Sequence, residues 1–136
     1  MGRHRRVYIS MKRLTDTQRK DLCRSIDSIR YKLPHLVSNP WDVKWYWHPL
    51  RAGVLGKFSV LHPNRIVLSS SFIRSGPEWG ASTAIHELRH RYQFIINPAI
   101  YLVACPFRKW TIEPSAQECE RAADQLLGFG GLRNAD

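Results

Sequence analysis

The sequence predicts an α+β domain, and three observations carry that prediction. A stripe of apolar residues recurs at helical spacing near the N-terminus. A run in the middle of the chain alternates with a period of two. Two further segments in the second half return to helical spacing. Strands grouped together and flanked by helices read as α+β rather than as alternating βαβ units. The 136 residues suffice for one core.

The first helix is expected to start near Thr15. Thr15 and Gln18 form the T-x-x-Q of a capping box, in which each side chain satisfies the other residue's backbone N–H. Leu22, Ile26, Ile29 and Leu33 then fall on one stripe, and Pro34 ends the helix because it has no N–H to give. Next, Val43, Trp45 and Trp47 alternate with Lys44, Tyr46 and His48, so the aromatic cluster reads as one core-facing side of a strand. Val54 to Leu61 and Ile66 to Ser70 are two more β-rich runs, joined by the turn residues His62-Pro63-Asn64-Arg65. A small antiparallel sheet of about three strands follows.

A helix is expected from about Glu78 to Ile96, ending before Asn97-Pro98. The last should begin at Pro114, a residue suited to a first helical position, and run to about Leu127 before Gly128. The predicted organisation is a basic arm over residues 1–13, one domain over 14–128 and a tail over 129–136.

Composition narrows the function classes. Cys23, Cys105 and Cys119 are odd in number and lack C-x-x-C spacing, which argues against a disulfide framework or a cysteine zinc finger and fits reduced thiols. The opening MGRHRRVYIS has no apolar stretch behind its basic residues, and Arg6 stands where a myristoylation signal needs Ser or Thr. The longest apolar run, Phe94 to Phe107, is too short to span a bilayer and reads as buried wall. The expectation is a cytoplasmic protein with no membrane partner. Charge is uneven: ten Lys/Arg and three Asp put +7 on residues 1–32, out of a formal total of +10. Such a segment favours nucleic acid or an acidic protein as partner.

The most informative stretch is HELRH at 86–90. Residues four apart on a helix differ by about 40° in azimuth and lie one turn apart, so His86 and His90 can reach one ion. Zinc takes neutral imidazole nitrogens at about 2.0–2.1 Å. Glu87, just around the helix, can reach a water on the metal without ligating the metal, as a general base must. The histidines share a face with Trp79, Thr83 and Gln93, while Ile85, Leu88, Tyr92 and Ile95 form the opposite, core-facing stripe.

A third ligand has to be a carboxylate, because no histidine follows His90. The candidates are Glu113, Glu118, Glu120 and Asp124. Glu120 is selected because Asp124 lies one turn beyond it on the same face and can serve as its outer-sphere partner. Ala122 and Ala123 would let the two helices approach closely.

HELRH at 86–90 followed by ERAAD at 120–124 resembles the gluzincin zinc metallopeptidases, and the brevity resembles minimal phage and bacterial members of the ImmA/IrrE type. The resemblance implies a zincin-like fold and a Zn2+ ion held by His86, His90 and Glu120. It also implies Glu87 as base, Asp124 behind His86, and a sheet edge that pairs with an extended protein or peptide substrate. Gluzincins often place a Tyr or His near the scissile carbonyl; here Tyr92, Tyr101, Arg89 and Arg121 are candidates that spacing does not separate. Two other classes of function stay open: a basic nucleic-acid-binding protein with a structural zinc, and an interaction module that has lost the chemistry. His48 and His62 sit at strand ends and could line a cleft, and Cys119 reads as packing.

Overall fold

A computed structural model describes residues 11–51 and 53–128. The predicted tail at 129–136 and most of the predicted basic arm lie outside them. The sheet has four strands: β1 (Lys12–Arg13), β2 (Lys44–His48), β3 (Gly56–Phe58) and β4 (Arg65–Ser69), in the order β1-β2-β4-β3. The helices are α1 (Asp16–Ile29), α2 (Ser71–Ser75), α3 (Ala81–Ile96), α4 (Pro98–Ala104) and α5 (Glu113–Leu127). Four short 3-10 turns join them, at Arg30–Lys32, Pro40–Asp42, Pro77–Gly80 and Cys105–Phe107. No helix among the described residues is long and apolar enough to cross a membrane.

The α+β class holds, but the sheet is mixed and has four strands instead of about three. β2 and β4 run parallel, with Trp45 opposite Ile66 and Trp47 opposite Leu68. β3 pairs antiparallel with the far side of β4, so the predicted hairpin forms and hangs on the edge. Residue type explains the order. Ile66, Val67, Leu68 and Ser69 are all buried, as a central strand requires, whereas the Gly-Lys-Phe of β3 suits an edge. The fourth strand comes from the predicted arm, whose last two residues pair antiparallel with Trp47 and Tyr46.

The capping box at Thr15 and Gln18 is present. α1 stops at Ile29, so Leu33 falls beyond the helix and is only partly buried against the core. That core lies between one sheet face and α1, α3 and α5, around Leu22, Ile26, Trp45, Ile66, Leu68, Ile85 and Leu88. Fully burying each such side chain contributes about 1.5–3 kcal/mol. α3 begins at Ala81, after the Pro77–Gly80 turn, and its core stripe is shorter than expected: Tyr92 is half-buried and Ile95 half-exposed.

The apolar run from Phe94 to Phe107 is not a buried wall. It contains α4, capped by the Asn97 side chain, which accepts from Ile100 N–H. Only Tyr101 of α4 is buried; Ile96 and Val103 are 65% and 74% exposed. α5 ends as predicted at Gly128, whose φ of +80° is the left-handed cap that glycine adopts most readily.

Candidate metal centre

α3 carries the histidines and α5 faces it, with Ala116, Cys119 and Ala123 buried along the contact. Small residues there bring the start of α5 over the histidines. His86 and His90 lie with ring centroids 4.9 Å apart. His86 Nε2 is 2.9 Å and His90 Nε2 3.1 Å from the same oxygen, Glu113 Oε1. One nitrogen from each imidazole and one carboxylate oxygen therefore converge, all within 4.8 Å of one another.

The remaining ring nitrogens are also held. His86 Nδ1 is 2.7 Å from Glu120 Oε1, and His90 Nδ1 is 3.0 Å from Gln93 Oε1. With Nδ1–H donating to these oxygens, a bound cation would need to displace only the proton that each Nε2 shares with Glu113 Oε1. Gln93 is fixed in turn: its Nε2 donates to Ile112 O and Ser115 Oγ, both at 3.0 Å. Arg108 Nε donates to Glu113 Oε2 at 2.8 Å and so leaves Oε1 facing the histidines.

Charge is concentrated around this point. Burial opposes protonation of His86, but its hydrogen bonds to Glu113 and Glu120 outweigh burial and raise its pKa to about 10. The bonds from His86 and His90 hold the Glu113 carboxyl far below the usual carboxylate range. Glu87 is shifted the other way: burial raises its pKa, against the lowering effect of both histidines. Three carboxylates around two imidazoles make a site that favours a cation. The donor set of two imidazole nitrogens and one carboxylate oxygen fits zinc and leaves room for a further ligand from an open cleft.

That cleft has a volume of about 460 Å3 and is walled by residues 53–58 on one side and by the histidines, Glu87, Arg108, Glu113 and Glu120 on the other. β3 crosses α3 closely at Gly56. A Cβ there would lie 2.7 Å from Thr83 Cγ2 and 3.4 Å from Glu87 Cγ. Glycine lets an edge strand run directly beside the glutamate.

His86, Glu87 and His90 all line this cleft. The carboxylate on both Nε2 atoms is Glu113, while Glu120 takes the place behind His86 that was expected of Asp124. Asp124 is half-buried one turn further along α5 and does not line the cleft. Glu118, another candidate, pairs with His35 at 3.3 Å. Among the four candidates for the scissile carbonyl, Tyr101 packs its ring 6.3 Å from that of His90. Arg89 instead lies over the ring of Tyr92 and donates to Leu36 O, and Arg121 is exposed and not part of the cleft wall. Cys119 is buried in packing, as expected. His48 and His62 line a different cleft, on the other face of the sheet. Gln93 and Arg108 had no role assigned from sequence; the i,i+3 spacing of Gln93 from His90 was a usable signal, whereas nothing in the spacing marked Arg108.

Comparison of the chain with protein-family models, curated proteins and solved structures gave no match to any of them.

Proposed function

We propose that this protein is a zinc-dependent metallopeptidase, with His86, His90 and Glu113 as ligands and Glu87 as general base. The observation that carries the reading is the convergence of both Nε2 atoms on one Glu113 oxygen, with Glu87 on the adjoining helical position and a cleft in front. Zinc, when bound, supplies a Lewis acid that polarises a carbonyl and lowers the pKa of water. The chain's own residues do the rest. Glu120 and Gln93 hold the two imidazoles in one tautomer, and Arg108 orients Glu113. Glu87 takes a proton from the attacking water as the C–O bond forms, then returns it to the amine nitrogen as the C–N bond breaks. Its burial favours the first of these steps, because a carboxylate with a raised pKa is a stronger base toward the attacking water than an ordinary one.

A peptide substrate is supported by the edge. Among the described residues β3 pairs on one side, with β4, and its other side borders the cleft. An extended chain can add there as a further strand, with its backbone beside Glu87. A purely structural zinc fits less well, since structural sites supply four protein ligands and close the coordination sphere.

The test is elemental mass spectrometry on the purified protein, followed by a peptide-library digest. About one zinc per chain is expected, retained in Glu87→Gln and lost in Glu113→Ala. Cleavage that disappears in Glu87→Gln would establish the enzyme. Full zinc occupancy in Glu113→Ala would refute the ligand set.

A further inference from the structure

The sheet face turned away from the helices carries positive charge without compensation. No Asp or Glu occurs between Asp42 and Glu78, a stretch that includes β2, β3 and β4. Strand register sets the cations in rows, since directly paired residues project on the same side. Arg13, Tyr46, Val67 and Lys57 form one row across all four strands, and Lys44 and Arg65 are direct partners in the next. Like charges in direct register cost stability. Yet among the described residues no carboxylate comes within ion-pair distance of Arg13, Lys44, Lys57 or Arg65. Arg13 and Arg65 instead flank the ring of Tyr46, 5.9 and 5.8 Å from its centroid. One end of this face opens into a cleft of about 510 Å3, walled by His48, Arg51, Lys57, His62 and Arg65 with Leu61 at its rim.

We propose that this face binds the backbone of single-stranded nucleic acid. A strand of DNA or RNA brings one anion per residue to match the rows of cations, and arginine planes suit phosphate oxygens. It also brings flat apolar bases that can enter the cleft, which a rigid duplex cannot. An acidic peptide matches the charge but has nothing comparable to place against Leu61. The surface lies across the sheet from the histidines, and the inference does not rest on the metallopeptidase reading.

The experiment is fluorescence anisotropy with a labelled oligothymidylate of about 15 nucleotides, in chelator, from about 50 to 200 mM salt. The full chain is compared with Lys44→Ser/Lys57→Ser and with Lys20→Ser/Arg24→Ser. The second pair removes the same charge from exposed positions of α1. All four side chains are exposed, and circular dichroism checks each fold. The sheet pair should weaken binding about tenfold at the low-salt end and reduce the log–log salt slope by about 1.4. The helix pair should change it less than about twofold. Equal losses from both pairs would make the attraction diffuse and overturn the proposal. So would absence of binding at low salt, tighter binding of a duplex of the same length, or tighter binding of a polyglutamate peptide.

Discussion

His86 is bound on both edges of its ring by acids that come from one helix: Glu113 at Nε2, 2.9 Å away, and Glu120 at Nδ1, 2.7 Å away. The two glutamates are seven residues apart on α5, so both lie on the side that faces α3. Their roles differ. Glu113 also reaches His90 and stands at the convergence point, whereas Glu120 meets the back of His86. Glu120→Gln should therefore weaken zinc binding about 10–100-fold, the usual effect of losing an outer partner. Glu113→Gln should weaken it more. Competition against a chromogenic chelator reads both. A greater loss from Glu120→Gln would reverse the two roles.

Zinc should also stabilise the fold, because its proposed ligands come from two helices joined by a long connection. At a free concentration about a hundredfold above Kd, binding adds about 2.7 kcal/mol. Thermal melts should shift upward with zinc and return with chelator. His86→Ala/His90→Ala should melt at one temperature in both conditions.

Gly56→Ala should destabilise the protein by about 1–3 kcal/mol, since its new methyl meets the Thr83 methyl at 2.7 Å. Thr83→Ser removes that methyl. In the double variant, urea unfolding should recover much of the loss. A purely additive result would locate the cost elsewhere.

Cys23 should resist thiol reagents in the folded protein. It is fully buried, its Sγ lies 3.6 Å from Pro40 O, and burial raises its pKa to about 11. Burial raises the pKa of Cys119 as well. An Ellman titration of native protein at neutral pH should count Cys105 alone, and all three thiols in denaturant. The linkage has a definite sign. Unfolded Cys23 loses its proton near pH 9 and folded Cys23 only near 11, so this contribution to stability is lost as pH rises through that window. Cys23→Ala should flatten the decline.

What could be read from sequence was whatever a single helix or strand decides for itself. The capping box at Thr15, the shared face of His86 and His90, and the stop at Gly128 all follow from local spacing. The third carboxylate does not. Spacing favours Glu120 because Asp124 lies one turn further on, but the outcome depends on how far α5 slides along α3, and that depends on packing at Ala116, Cys119 and Ala123. Strand order was hidden for a similar reason, since alternation gives a face but not a neighbour. Asn97-Pro98 ends α3 and also starts α4, with Asn97 capping and Pro98 at the first helical position.

β3 carries one more consequence. A strand paired on one side offers a template to any extended chain, another copy of this protein included, and such edges are where fibrous aggregation begins. Three residues make a short template, and Lys57 at its middle places a like charge beside its counterpart in the self-pairing that matches all three residues. The strand proposed to receive a peptide substrate is thus a poor template for its own kind.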